Sequence, residues 1–478
     1  NDVWFNKKLE SEITLPGTTD DAGYGITNTL EPKLEDPQIR HLTRKTSYIG
    51  PAWYQKEIDI PDTWTAKKIT LKLERVIWKS RIWIDGREAN GGESLISPHY
   101  IDLSDLLTPG KHTLTIRIDN RKQFNISVRE LAHAYTNETQ IIWNGIIGDI
   151  NITASEKLSF SSLHLYPDIE KKQVKCIFSI NNESSSQVRG KLKTNIGLRA
   201  GEKLKSLSED IIIPVGTKTF TRYYELGENM ILWDEFHPSL YDIELKFSGN
   251  KYSARKEGSF GMRKLTNDDG LLNINGHRIF LRGTLECCIF PLSGYPPMDN
   301  DGWEKVFSKA KEWGLNHLRF HSWCPPEAAF RVADEMGFYL QVELPFWYLN
   351  VGDDSLSTDY ILREAERIIN EYGNHPSFCL WSMGNELQGE FSVLKEMMKK
   401  LKAKDNRHLY MTTTFTFEPV HGTLPEKEDQ FFITQWTGKG WLRGQGFFNE
   451  YAPSFNYNYN AVIEDITVPV ISHEIGQH

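Results

Sequence analysis

Two glutamates stand where a carboxylate can do chemistry. Glu386 closes the run Phe378-Cys-Leu-Trp-Ser-Met-Gly-Asn-Glu386, and Glu474 closes Val468-Pro-Val-Ile-Ser-His-Glu474. Each follows a short, mostly apolar stretch, the pattern of a strand buried on both faces of a parallel sheet. Each therefore lies at a strand's C-terminal end, where a barrel of alternating strands and helices carries its catalytic groups. Two carboxylates facing one cavity suit cleavage of a glycosidic bond. One protonates the leaving oxygen, and the other attacks the anomeric carbon or activates water. Taken singly, either residue also fits a solvated glutamate beside a helix; the occurrence of two such ends in one chain favours chemistry. A zinc-protease reading of His473, Glu474 and His478 is excluded. That motif needs its second histidine four residues after the first, where Gln477 stands, and the preceding Val-Pro-Val-Ile reads as strand.

The elements that must position these groups begin near Gly261, where the pattern changes. A strand is predicted at 278–282, then Trp303, Val306, Phe307, Ala310 and Trp313 fall at helical spacing, stopped by Gly314. Strands at 317–320 and 339–343 follow, with helices at 327–336 and around Ile361, Ala365 and Ile368. After the 378–383 strand come a helix at 391–404 and strands at 410–413, 431–434 and 468–474. Such alternation predicts a parallel sheet, and at this length a (β/α)8 TIM barrel. Glu386 follows the fourth strand and Glu474 the seventh. The eighth βα unit is not found, and residues 263–478 number about 216, against roughly 250 for the fold. The barrel is expected to be C-terminally incomplete, and the chain a fragment of a longer protein.

Upstream the period is two. Trp53-Tyr-Gln-Lys-Glu-Ile-Asp-Ile60, Lys68-Ile-Thr-Leu-Lys-Leu73, Ser80-Arg-Ile-Trp-Ile-Asp85 and His112-Thr-Leu-Thr-Ile-Arg-Ile118 alternate apolar with polar residues, separated by turns such as Asp85-Gly86 and Pro109-Gly110. Residues 1–155 are expected to form a jelly-roll β-sandwich. Residues 156–262, with strands at 174–180, 211–215 and 241–247, are expected to form an immunoglobulin-like one. The 478 residues carry a net charge of -9 with no basic run, so nucleic acid is not an expected partner. No apolar run reaches the roughly 20 residues of a membrane span. The five cysteines have neither zinc nor disulfide spacing.

The stretch Asn374-His-Pro-Ser377 with Trp381-Ser-Met-Gly-Asn-Glu386 resembles the acid/base signature of glycoside hydrolase family 2, the family of β-galactosidases, β-glucuronidases and β-mannosidases. Ser472-His-Glu-Ile-Gly476 resembles its nucleophile strand, which usually reads Ser-Glu-Tyr-Gly, so His473 is a departure. Gly50-Pro-Ala-Trp-Tyr54, Trp83-Ile-Asp-Gly86 and Trp143-Asn-Gly-Ile-Ile-Gly148 resemble the family's N-terminal sugar-binding-like domain. The resemblance implies a retaining exo-β-glycosidase, with Glu474 as nucleophile and Glu386 as acid/base. It further implies that Asn385 bonds the sugar 2-hydroxyl and that Arg319 keeps the nucleophile ionised. His321 is a candidate substrate-binding residue, although Phe320-His-Ser-Trp-Cys-Pro stands one step out of register with the family's Ser-His-Tyr-Pro. Gln435 and Trp436 could floor the sugar site or pack at its rim. Where β-galactosidases often carry Glu-x-x-x-Glu-x-His near a magnesium ion, Glu343-Leu-Pro-Phe-Trp347 offers one carboxylate; no metal and no cofactor are expected.

The implied substrate is an oligosaccharide or a polysaccharide-derived chain, a β-galactoside first, with β-glucuronide and β-mannoside as alternatives. The alternative from another class is a non-catalytic carbohydrate-binding protein on the same scaffold. A periplasmic or secreted location is expected from the carbohydrate role and the start without Met. The Asn- and Tyr-rich stretch 449–460 reads either as a loop over the cleft or as a plain surface loop. Glu386 is expected to have its pKa raised by burial and by the charge of Glu474. Carboxyl groups roughly 5 to 5.5 Å apart would go with retention, and roughly 6.5 to 9.5 Å with inversion.

Overall fold

The structure, a computed structural model, describes residues 4–29, 45–128, 135, 142–201, 205–442 and 458–474. In its first part, alternation in sequence becomes alternation in burial. Lys68–Arg75 and Gln173–Asn182 are each buried at every second residue, so each strand lays one face on a core. One antiparallel sheet runs in the order Gly17–Thr18, Gly145–Ser155, Lys68–Arg75, His99–Asp102; a second runs Pro51–Ile60, Gly110–Asp119, Lys79–Ile84, Arg87–Glu88. Leu71, Leu73, Ile82, Ile118 and Ile146 meet between them. Residues 158–260 form another pair of sheets, ordered Leu158–Asp168, Gln173–Asn182, Gly216–Glu225 and Lys205–Ile213, Val188–Leu198, Tyr241–Gly249, Tyr252–Phe260. Phe178, Ile180, Leu192, Ile243 and Phe247 belong to the core they share.

From Gly283 the strands are parallel and alternate with helices. β1 (Gly283–Glu286), β2 (His317–Phe320), β3 (Tyr339–Glu343), β4 (Phe378–Ser382) and β5 (Leu409–Met411) lie side by side in that order, and β6 (Phe432–Thr434) pairs with β7 (Val470–Ser472). Main-chain bonds from Gln430 N to Tyr410 O (2.9 Å) and from Phe415 N to Ile433 O (3.1 Å) join β5 to β6. Seven parallel strands thus stand among the described residues. Helices α1 (Asn300–Glu312), α2 (Glu327–Met336), α3 (Ser355–Tyr372) and α4 (Phe391–Lys404) connect β1 through β5. Every residue of β2, β3, β4 and β5 is buried. That is why β4 and β5 read in sequence as apolar runs rather than as alternations, while the buried His317, Arg319, Gln341 and Glu343 of β2 and β3 are polar.

One expected strand is misplaced. Residues 278–282 do not form the first parallel strand; His277–Arg278 is half of a short antiparallel pair with Asn273–Ile274, and the parallel strand starts at Gly283. Ile279 and Leu281 pack instead against the cluster of Trp233, Leu272, Leu380 and Phe431. Their burial gave the stretch its strand-like pattern, while β1 itself, Gly-Thr-Leu-Glu, is short and half exposed.

The first part of the chain is fastened to the barrel wall. Ser94 Oγ and Leu95 N donate to Glu364 of α3 at 3.0 and 2.9 Å, and Tyr372 Oη donates to Ile96 O at 3.2 Å. All five cysteines are free. Among the described residues no helix is long and apolar enough to cross a membrane.

Candidate active site

The segment after β4 is shaped by its glycine. Gly384 adopts φ 154°, and a Cβ there would lie 2.2 Å from Phe346 O. Only glycine lets the chain pass so close to the end of β3. Asn385 N then donates to Phe346 O at 3.0 Å and Glu386 N to Thr414 O at 3.0 Å, which locks the turn between β3 and β5. Glu386 itself has φ 46° and Glu474 has φ 47°. Two non-glycine residues held in the left-handed region, one at each strand end, are the backbone strain that functional sites store.

The two halves of the long signature do different work. Asn374 Nδ2 donates to Leu163 O (2.8 Å) and its Oδ1 accepts from Leu165 N (2.8 Å), tying the second pair of sheets to the barrel. His375 Nδ1 lies 2.6 Å from Asp334 Oδ2, and Ser377 N donates to Asp334 Oδ1 at 2.9 Å. None of these touches Glu386. Asn374-His-Pro-Ser377 is a structural anchor at the start of β4, and Asn385-Glu386 at its far end faces the cavity.

Five of the six expected site residues meet there. Arg319, at the end of β2, donates from Nε to Glu343 Oε1 (2.6 Å) and from Nη2 to Asn385 Oδ1 (2.5 Å), and its Nη1 lies 3.5 Å from Glu474 Oε1. His321 Nε2 stands 3.5 Å from the same oxygen. Glu386, His473 and Glu474 have ligand-type atoms all within 4.8 Å of one another, the one group among the described residues with metal-holding spacing. Trp436 is half-buried and one ring further out. Phe415 meets it edge-on at 4.6 Å and stacks on His473 at 5.2 Å.

The electrostatics separate the two glutamates. Burial, and then the charge of Glu474, push the Glu386 carboxyl up to about 7. Burial works in the same direction on Glu474, yet the hydrogen bond from His321, the neighbouring His473 and the Arg319 guanidinium outweigh it and hold that carboxyl far below its ordinary value. One group is thus kept protonated near neutrality while its neighbour is kept ionised, the division of labour that acid–nucleophile chemistry needs.

The expectation left out several residues that complete the site. Glu343 is fully buried. Besides Arg319 it accepts from Ser322 N (2.7 Å) and Thr414 Oγ1 (2.6 Å). Burial alone would raise this carboxyl, and Arg319 beside it outweighs that and lowers it. Glu343 therefore serves as the counter-ion that fixes Arg319. Trp347 packs edge-on to His321 at 5.4 Å and acts on Glu386 through its side chain. Its main chain is in turn held by the first part of the molecule, Trp347 N donating to Ile126 O at 2.9 Å. Both residues lie in the stretch Glu343-Leu-Pro-Phe-Trp347, where the missing metal ligands drew attention away from the ion pair. His473 also joins the site, held by Gln435, which was expected together with Trp436 as a floor of the sugar site. Of the second signature, Ile475 and Gly476 lie outside the described residues, as do His478 and positions 449–457 of the Asn- and Tyr-rich stretch.

Comparison with known proteins follows the same lines. Residues 158–263 match the family described as "Glycosyl hydrolases family 2", and residues 265–418 match "Glycosyl hydrolases family 2, TIM barrel domain". A beta-galactosidase of Thermoanaerobacter pseudethanolicus is 22% identical over 363 residues, covering 75% of this chain and 48% of that protein. The chain spans less than half the length of the first curated relatives that it matches. Among solved structures, Bacteroides uniformis beta-glucuronidase 2, covalently bound to cyclophellitol-6-carboxylate aziridine, superposes with a TM-score of 0.73 at 18% identity, covering 94% of this chain and 54% of that one. A GH2 beta-galacturonidase from Eisenbergiella tayi bound to galacturonate gives a TM-score of 0.74 at 17% identity, covering 98% and 79%. These likenesses speak to the fold. With the signature around Glu386, the parallel barrel and the two matched family descriptions, the chain belongs to glycoside hydrolase family 2.

Proposed function

We propose that the chain is the catalytic portion of a retaining exo-β-glycosidase. Its division is read as a jelly roll over 1–155, an immunoglobulin-like sandwich over 156–262 and the barrel from 263. Glu474 attacks the anomeric carbon while Glu386 gives its proton to the departing oxygen. Glu386 then takes a proton from the water that releases the sugar. The observation that carries this reading is the opposed pair: two carboxylates on the ends of the fourth and seventh strands, each with an oxygen within 4.8 Å of the other, one raised to about 7 and the other held ionised. That spacing favours retention, because inversion leaves room for a water at roughly 6.5 to 9.5 Å. It also favours catalysis over a binding-only role, which would not require opposite protonation states.

Arg319 and Asn385 complete the assignment. Asn385 Oδ1 accepts from Arg319, so its Nδ2 is turned the other way, and this fully buried donor has no protein partner among the described residues. Buried amide donors are almost always satisfied; a sugar hydroxyl, the 2-hydroxyl in this reading, supplies the acceptor. Trp436 with His321 and Trp347 would form the aromatic and imidazole wall. A terminal β-galactoside is the first expected substrate. The names borne by similar structures make a β-uronide the second.

Hydrolysis of a panel of aryl β-galactosides, glucuronides, galacturonides and mannosides by the wild-type chain and Glu386→Gln tests this. Turnover on one sugar is expected to be high below neutrality and to fall as pH rises through about 7, since Glu386 must carry its proton for the first step. In Glu386→Gln that limb should vanish. Its kcat/KM should collapse for poor leaving groups, by roughly 10²- to 10⁴-fold, yet stay near wild type for a dinitrophenyl glycoside, which leaves without a proton, while kcat on that substrate falls because the second step has lost its base. Equal losses on good and poor leaving groups would contradict the role given to Glu386.

A further inference from the structure

The residue before Glu474 departs from the family's usual wording, and its surroundings are specific. His473 is 1% exposed, and its ring lies against Phe415. Its Nδ1 is 3.2 Å from the side-chain nitrogen of Gln435, and its Nε2 is 3.3 Å from Glu474 Oε1, close but without a hydrogen bond, so that Nε2 is a buried atom with no hydrogen-bond partner among the described residues. A carboxylate can only accept, so an imidazole nitrogen that faces it attractively must carry the hydrogen. A neutral ring then has its lone pair on Nδ1, and that lone pair needs a donor. Gln435, itself 3% exposed, presents its amide N–H there. Both ends of the ring therefore call for one tautomer. A second proton would have to sit on Nδ1, against the Gln435 amide.

We propose that His473 is a positioning residue for the reaction: fixed by Gln435 as the neutral Nε2–H tautomer, it holds a buried N–H with no other partner among the described residues beside Oε1 of Glu474 and keeps that carboxylate aimed for attack. This rests on Glu474 being the nucleophile. His473 transfers no proton; it orients, as a partner that fixes the tautomer does elsewhere. Burial, with Arg319 nearby, moves its own protonation well below the ordinary range, so it acts as a dipole rather than as a charge. That distinction has a purpose. Arg319 Nη1 already lies 3.5 Å from Oε1, and a second full positive charge would lower the nucleophilicity of the carboxylate further.

The groups that face Glu474 are Arg319 and His321 after β2, Cys287 after β1, Glu343 on β3, Glu386 after β4 and His473 itself. Two measurements separate this proposal from the activity it rests on. With ring-¹⁵N-labelled histidine, the His473 signals, identified by their loss in His473→Phe, should report Nε2–H and bare Nδ1, unchanged from pH 5 to 8. An Nδ1–H tautomer, or an imidazolium forming near pH 6.5, would overturn the proposal whether or not the chain hydrolyses anything. In kinetics, His473→Phe keeps the ring contact with Phe415 and should lower kcat/KM by about 10²-fold, with the acid limb that reports Glu474 moved to higher pH. His473→Gln, whose amide N–H reaches the same place, should recover most of the loss. A His473→Phe variant within twofold of wild type, with its acid limb unmoved, would overturn it. Should Glu474→Ala itself keep full activity, the assignment of the nucleophile fails, while the tautomer result stands on its own.

Discussion

Replacing Glu474 by Ala is expected to lower turnover by on the order of 10⁴-fold or more, and azide is expected to restore a large part of it as the α-glycosyl azide. On the proposed assignment the variant loses the nucleophile but keeps Glu386 in place to protonate the leaving group. A small anion can then enter the space vacated by the side chain and attack from the same face. Because it comes from the face opposite the β-linked leaving group and no second displacement follows, the product carries inverted configuration. The wild-type protein, by two displacements, should release the β-anomer. Azide rescue also guards against a trivial explanation, because a chain unfolded by the substitution cannot be rescued. A β-configured azide, or rescue in Glu386→Gln with that same α product, would reverse the roles of the two glutamates.

The second large effect concerns Arg319, which bridges Glu343, Asn385 and Glu474. Arg319→Met should abolish detectable hydrolysis and destabilise the chain by about 3–5 kcal/mol, because Glu343 is left buried without its counter-ion. The pH dependence fixes the cause. In the wild type, Arg319 holds Glu343 below its ordinary value. Without Arg319 the largest counterweight to burial is gone, and the folded-state pKa is expected to rise above the unfolded one. The variant should therefore be least impaired in acid and lose more stability as pH rises toward and through the new pKa. Adding Glu343→Gln removes the stranded charge and should recover much of the stability but none of the activity. Denaturation of the single and double variants between pH 5 and 8 checks this. A double variant as unstable as Arg319→Met would mean that the stability resides in packing around the guanidinium rather than in the ion pair.

The site was largely legible in the sequence where chemistry and strand geometry coincide. Glu386 and Glu474 could be placed because a parallel strand of the barrel, fully buried before Glu386 and half-buried before Glu474, leaves a mostly apolar run, and the polar residues beyond it fall at the strand's mouth. The helices at 300–312, 327–336, 355–372 and 391–404 followed from apolar spacing alone. β1 was missed for the converse reason. Gly283–Glu286 is short and half exposed, so it lacks the apolar run, and the neighbouring Ile279 and Leu281 borrowed its signature by packing below it. Partners distant in sequence were also beyond reach. Glu343 is bound to Arg319 across one strand pair, and nothing in either local sequence announces the pairing. The left-handed backbone at Glu386 and Glu474 is invisible for the same reason, since it is imposed by the strands on either side. His473 was visible only as a departure from expected wording. Its meaning needed Gln435, 38 residues away in sequence, to be placed beside it.

The most direct test of the central claim is covalent trapping. Incubation with galacto- and glucurono-configured cyclophellitol aziridines, followed by intact-mass and peptide mass spectrometry, should show one added inhibitor per chain, attached as an ester to Glu474. Glu474→Ala should take up none, and Glu386→Gln, lacking the proton donor, should label far more slowly at the same residue. Labelling at Glu386, or at no residue of a chain that is folded and hydrolyses a β-glycoside, would contradict the account.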